Sequence, residues 1–139
     1  MKTGLLSLAF ALLTTISFGQ TLHKGSVLAL HTYTSHLKEG VTVEAYVQFV
    51  KSKIIPAYEK AFTGGKMYIV KSVKGQDSSN IGAVFFYNSD ADMAKYFNND
   101  GSLTDAGKTA YAKMDVVLKE LEKLEKSPND EKYNDWVVQ

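Results

Sequence analysis

The stretch from Gly25 to Phe62 constrains the fold more than any other part of the sequence. Residues 26–34 are predicted to form a strand, and a polar connector then leads to a helical pattern over 42–62. The two alternating faces of the strand carry Val27, Ala29, His31 and Tyr33, and Leu28, Leu30, Thr32 and Thr34. A half-buried strand would alternate apolar with polar residues, whereas both of these faces are largely apolar. The strand is therefore predicted to be covered on both sides.

The helix over 42–62 is predicted from an apolar stripe of residues spaced three and four apart, which includes Tyr46 and Tyr58. Thr42 is its expected N-cap, and the Gly64-Gly65 pair ends it. Pro56 lies inside the pattern, lacks a backbone N–H and crowds the preceding turn. We therefore expect a kink or short break near residues 52–56, with helix continuing beyond it.

The rest of the chain predicts a hairpin, two helices and a final strand. The predicted strands are 66–74 and 81–87, joined by a turn at 75–80; the helices are 90–97 and 104–126, and the last strand is 133–138. The long helix is predicted to turn a charged face, which includes Glu125, toward solvent. The order βαββαβ is that of an α+β ferredoxin-like sandwich, a four-stranded antiparallel sheet with two helices on one face.

This plan leaves the second sheet face without helices, although the first strand is apolar on both sides. Burying one leucine-sized side chain stabilises a fold by roughly 1.5–3 kcal/mol. A second copy of the chain could cover that face with the same apolar residues. The sequence therefore predicts a homodimer.

Residues 1–19 are predicted to be a signal peptide, followed by a single domain over 20–139. Lys2 precedes an apolar run, Leu5 to Ile16, that is too short to span a bilayer, and Ser17-Phe18-Gly19 resembles a cleavage site. A buried N-terminal helix and a retained membrane anchor are the alternatives. With cleavage, the protein is exported to the periplasm or secreted and keeps no membrane segment.

The charge balance of the remaining chain is neutral. Lys2 lies in the predicted signal peptide, so 15 of the 16 basic residues remain against 15 acidic ones, and none is arginine. Arginine is the usual residue for recognising phosphate and nucleic-acid bases. These features argue against a nucleic-acid partner.

Three motifs together resemble a known family. They are Leu30-His-Thr-Tyr-Thr34, the connector Lys38-Glu39-Gly40, and a helix that ends with Ile54-Ile-Pro-Ala-Tyr58 before the glycine pair. Over about residues 26–126 the chain resembles the NIPSNAP-like branch of the dimeric α/β barrel superfamily. The resemblance implies a ferredoxin-like protomer whose sheets pair face to face in a dimer. The superfamily includes cofactor-independent quinone-forming monooxygenases, heme-degrading enzymes and many members without assigned chemistry.

His31 is the candidate residue that stands out, because it lies mid-strand among apolar neighbours. Such a histidine could be a general base or an axial heme ligand, or a hydrogen-bonded histidine of the core or dimer interface. The other histidines, His23 and His36, form no metal-ligand spacing with it, and the chain has no cysteine. We therefore predict no metal site and assign no cofactor.

Aromatic residues of the strands are the candidates for binding a small apolar or aromatic ligand. They are Tyr33, Tyr68, Tyr87, Tyr133 and Trp136. In the monooxygenase members of that superfamily, an Asn, a Trp and a Tyr or His surround the substrate, which makes Asn134 and Trp136 weak catalytic candidates beside His31. The alternative is that these aromatics only fill the core.

Two functions remain open from the sequence. The first is an exported dimeric binding or accessory domain without catalysis. The second is a cofactor-independent monooxygenase or a heme-handling enzyme that acts on a planar aromatic ligand. An internal cavity between sheet and helices, with a polar group inside, is required by the second, whereas a solid core there and protein that stays colourless with added heme would favour the first.

Overall fold

One antiparallel sheet organises the molecule. The computed structural model describes residues 21–33, 36–74, 81–126 and 132–139. Its strands are β1 (Val27–Tyr33), β2 (Gly65–Lys71), β3 (Ile81–Tyr87) and β4 (Lys132–Val137). They lie in the order β2-β3-β1-β4, and every neighbouring pair is antiparallel. This topology confirms the ferredoxin-like fold predicted from the βαββαβ order.

The first helical region contains the break expected at its proline. It consists of α1 (Val43–Phe49), a π-helical turn (Val50–Ile54) and α2 (Ile55–Ala61). Because Pro56 has no N–H, the regular bonding pattern cannot continue through it, and the chain widens by one turn of i→i+5 bonding. The helix then resumes, so residues 57–61 are helical as predicted. Thr42 caps the start by accepting a hydrogen bond from the N–H of Ala45 at 3.1 Å.

The second helical region differs from its prediction. The helices are α3 (Asp90–Met93), α4 (Asp105–Ala112) and α5 (Asp115–Leu121). The single helix predicted over 104–126 is wrong, because the chain turns between α4 and α5 and helix ends at Leu121. Beyond that point the backbone pairs with the connector after β1: the Lys38 N–H donates to the Leu124 carbonyl at 2.9 Å, and the Lys126 N–H donates to the His36 carbonyl at 3.0 Å.

The helices pack against one face of the sheet. Val27 and Ala29 of β1 are each 2% exposed, and Tyr87 of β3 is fully buried. They share this side with Met67 of β2, because cross-strand partners in register project to the same face. Tyr46, Val50, Ile54 and Tyr58 of the first helical region and Met114 of the second complete the core.

The opposite side of the sheet, here named the outer face, is also apolar. It carries Leu28, Leu30, Thr32, Tyr68, Val70, Val84, Phe86, Asn134 and Trp136, with Lys66 and Lys132 on its edge strands. Tyr68 and Trp136 are about half exposed, at 50% and 49%. The register therefore assigns Tyr68 and Val70 to the outer face together with Leu30. The described helices contribute no layer on this side.

Some predictions fall on residues outside the described ranges. These are the signal peptide over 1–19 and the hairpin turn at 75–80. None of the helices in the described ranges is both long and apolar enough to cross a bilayer.

Candidate functional site

A cavity lies between the helix-facing side of the sheet and the helices. Its volume is about 1070 Å³, and we name it the central cavity. Apolar walls come from Phe85, Met67, Leu118 and Leu121, among others. Polar groups on its surface include His31, Tyr33, Tyr46, Glu125 and Asp135. This volume is large for a domain of this size and falls at the upper end of the range of small-ligand pockets.

His31 lies in the wall of the central cavity between two aromatic rings. Its ring centroid is 5.0 Å from that of Phe85 in an edge arrangement and 5.3 Å from that of Tyr133 in a stacked one. Tyr133 pairs directly with His31 across β1 and β4. The imidazole is therefore held in orientation by its neighbours at a position where it can face a bound molecule.

Two pairs of tyrosine hydroxyls also belong to the lining of the central cavity. The hydroxyls of Tyr33 and Tyr46 are 2.6 Å apart, and those of Tyr58 and Tyr87 are 2.5 Å apart. Burial raises the pKa of Tyr87 to about 12 and raises the pKa of both Tyr46 and Tyr58 further above the ordinary value. These phenols consequently stay protonated and act as neutral hydrogen-bonding groups at physiological pH.

Glu125 lies at the end of the cavity where Tyr46 is found. It is only 7% exposed and forms an isolated β-bridge with Leu37. Burial raises the pKa of its carboxyl above the ordinary range, while the Tyr46 hydroxyl, the charge of His36 and the His36 backbone act in the opposite direction. The pKa of Tyr46 is in turn raised by Glu125. The Tyr46 hydroxyl and the Glu125 carboxyl therefore lie close enough to shift each other's pKa.

A loop closes one side of the central cavity. Residues 98–103 line it, and Gly101, with φ of +80°, lies so close to Tyr133 that a Cβ there would be 2.9 Å from the tyrosine hydroxyl oxygen. An open depression of about 480 Å³, lined by Ala94 and Phe97 among others, lies next to the central cavity. Its lining residues also line the central cavity, so it belongs to the cavity mouth.

The sheet separates the residues that the sequence singled out. His31, Tyr33, Tyr87 and Tyr133 all line the central cavity. Tyr68, Asn134 and Trp136 lie on the outer face, where Asn134 pairs with Leu30 and Trp136 with Leu28. In the first group, the half-buried His31 and Tyr33 and the exposed Tyr133 can meet a ligand, whereas Tyr87 is fully buried. The second group cannot reach the cavity through the sheet.

Sequence reasoning missed three groups of the cavity. Tyr46 and Tyr58 were assigned to the apolar stripe of a core helix, and Glu125 to a solvent-exposed helix face. The assignment of Glu125 is wrong, because helix α5 ends at Leu121 and the glutamate follows in bridged backbone. No local signal marks that end, since Leu124 continues the apolar spacing.

No family model matches this chain, and no curated protein matches it.

Solved structures, in contrast, share its fold. A NIPSNAP family protein of unknown function from Agrobacterium tumefaciens strain C58 superposes with a TM-score of 0.54 at 15% identity, over 84% of this chain and 91% of that one. An uncharacterized NIPSNAP-like domain protein from Burkholderia xenovorans gives 0.54 at 10% identity, over 84% and 88%. A dimeric protein of unknown function and ferredoxin-like fold from Bacteroides fragilis gives only 0.42 at 15% identity, over 83% and 98%. The predicted resemblance to the NIPSNAP-like branch is confirmed, and at these identities it establishes the fold.

Proposed function

We propose that this chain is an exported, homodimeric domain that binds a small apolar or aromatic ligand in the central cavity. The observation that carries this proposal is the cavity of about 1070 Å³ between sheet and helices, with hydrogen-bonding groups at defined points of its wall. A chain that served only as an accessory scaffold would gain stability by filling this space with side chains. Mostly apolar walls with a few polar groups are typical of small-molecule sites.

The aromatic nature of the ligand is supported by the rings that line the cavity. Phe85 lies 5.0 Å from both His31 and Tyr58, so three rings meet at one point of the wall. Aromatic side chains favour offset or edge contacts with another ring. A planar ligand can therefore pack against this cluster.

Binding can be tested by filling the cavity from one helix. Leu118 of α5 lines it, whereas Val116 of the same helix is 74% exposed. We expect Leu118→Trp to abolish fluorescence-detected binding of 2-naphthol to the purified protein. The matched control Val116→Trp should bind as the wild type does. Equal binding by both variants, with both shown to be folded by circular dichroism, would contradict the proposal.

Homodimerisation is supported by the outer face. Half-buried or exposed apolar side chains adjoin one another there around the buried Phe86; they are Leu28, Leu30, Val84, Tyr68 and Trp136. Soluble monomers rarely expose large apolar patches. A two-fold axis through this face would bury identical residues of both copies.

Export is supported by the sequence pattern of residues 1–19. We expect the exported protein to begin near Gln20 and Gly19→Leu to block processing, because cleavage requires a small residue at that position. Intact-mass measurement of exported protein tests this. A mass that includes Met1 to Gly19 in the wild type would overturn it.

A second candidate function is the oxidation of an electron-rich aromatic without a cofactor, and the position of His31 favours it. The imidazole could take a proton from the bound substrate. The substrate would supply the electrons, one atom of O₂ would enter its ring as a carbonyl, and the other would leave as water.

Oxygen uptake with a hydroxylated naphthalene should then be lost in His31→Ala and kept in His23→Ala, which changes an exposed histidine. The absorption spectrum with added heme tests the heme-handling alternative on the same samples.

A further inference from the structure

The backbone around Glu125 directs its side chain into the molecule. The two hydrogen bonds that join residues 36 and 38 to residues 126 and 124 flank the glutamate on both sides. Its bridge partner Leu37 packs against the core. Bridged residues project to the same side, so Glu125 points the same way as Leu37 and reaches the wall of the central cavity.

One oxygen of this buried carboxyl lacks a protein partner. Glu125 is more than nine-tenths buried, and its Oε1 atom accepts no hydrogen bond from the described residues. Buried polar atoms in folded proteins almost always have a partner, and a carboxylate oxygen is among the most costly to leave without one. Glu125 lines the central cavity, and a turn of its carboxyl would bring this enclosed oxygen to a donor on a bound ligand.

The side chains around Glu125 indicate what kind of ligand could carry that hydrogen-bond donor. Tyr46 lies beside the carboxyl and bonds to Tyr33, which forms a polar end in the cavity. Met114, Leu118 and Leu121 supply apolar walls nearby. A ligand that satisfies both environments has an apolar body and one hydroxyl or N–H group at its edge.

We propose that Glu125 Oε1 accepts a hydrogen bond from the ligand, so that the central cavity selects hydroxylated aromatic molecules over the corresponding hydrocarbons and ethers. This inference rests on the proposed function, since it specifies the ligand class of the same cavity. The raised pKa of Glu125 agrees with it, because a donor supplied by the ligand would offset the cost of burying the charge.

Three matched probes test the inference. 2-Naphthol carries a donor, 2-methoxynaphthalene keeps the oxygen without the donor, and naphthalene lacks both. We expect 2-naphthol to bind about 10- to 100-fold more tightly than the other two, the ratio typical of a hydrogen bond to a charged group.

Substitutions of Glu125 test whether the preference for 2-naphthol depends on this residue. Glu125→Leu should bind all three probes with similar affinity, and Glu125→Gln should keep only part of the preference, because its amide oxygen still accepts. Glu120→Gln, which changes an exposed glutamate of α5, should behave as the wild type does. Thermal melts of each variant establish that it is folded.

The outcomes separate the two proposals. If the wild type binds none of the probes, the proposed function fails and this inference fails with it. If all three probes bind equally well, or if folded Glu125→Leu keeps the preference for 2-naphthol, only the assignment of Glu125 as acceptor is overturned.

Discussion

Ala29 and Leu30 are adjacent in β1 and project to opposite sides of the sheet. Ala29 is 2% exposed in the helix-facing core, whereas Leu30 lies half-buried on the outer face between Val84 and Asn134. The same substitution at these two positions therefore tests two different layers of the structure.

We expect Leu30→Lys to yield a folded monomer and Ala29→Lys to unfold the domain. A charge on the outer face opposes pairing of two such faces, whereas a charge in the core has no partner to offset its desolvation. Light scattering after size-exclusion chromatography measures the mass, and circular dichroism measures the fold. Val116→Lys, at an exposed helix position, should remain dimeric. A stable wild-type monomer would overturn the dimer.

The stability of the unliganded protein should fall as the pH rises through the pKa of Glu125. Burial, as the largest effect, raises that pKa, so the folded chain holds the proton to a higher pH than the unfolded chain does. The stabilising contribution is complete below the pKa of the unfolded chain and is lost as the pH rises through the folded value. Tyr46, Tyr33 and His36 are the other titratable groups at this end of the cavity.

Urea denaturation of Glu125→Gln measures this contribution. The variant should gain stability relative to the wild type as the pH rises above about 4.3, the ordinary pKa of glutamate, and the gain should level off above the raised pKa of Glu125. Glu120→Gln should show no such trend. A pH-independent difference between Glu125→Gln and the wild type would contradict the buried position of this carboxyl.

The hydrogen bond between the Tyr58 and Tyr87 hydroxyls should stabilise the folded domain. Tyr58→Phe leaves the fully buried Tyr87 hydroxyl without this partner, which should lower the free energy of unfolding by about 1–3 kcal/mol. The double variant Tyr58→Phe/Tyr87→Phe should cost less than the sum of the single ones. Tyr68→Phe, on the half-exposed outer face, should change it by about 0.5 kcal/mol at most. If the losses in free energy of unfolding of the two single variants add up to that of the double variant, the two hydroxyls are not hydrogen-bonded to each other.

Gly107 should not tolerate alanine, although alanine normally stabilises a helix relative to glycine. A Cβ at this position of α4 would lie 2.1 Å from the carbonyl oxygen of Tyr96. The helix would have to withdraw from that backbone, and we expect a loss of about 1–3 kcal/mol in urea denaturation. Ala106→Ser, at an exposed position of the same helix, serves as the control. An increase in stability for Gly107→Ala would refute the close packing.

The element order and the break at Pro56 could be predicted from the sequence because both depend on local chemistry. Apolar spacing distinguishes strand from helix, capping side chains such as Thr42 and Thr104 mark helix starts, and a missing N–H interrupts helical bonding wherever it occurs. The position of His31 on a strand with two apolar faces could likewise be predicted from the apolar residues beside it in the sequence.

Only the tertiary structure decided which residues meet. The pairing of β1 with β3 and β4 places Tyr133 beside His31 and sends Asn134 and Trp136 to the other side. The end of α5 at Leu121, and with it the burial of Glu125, depends on backbone bonds to residues 36–38, which are distant in sequence. Local periodicity carries no information about such bonds, because they form only once the sheet has brought the two segments together. The candidate site is built from these long-range contacts.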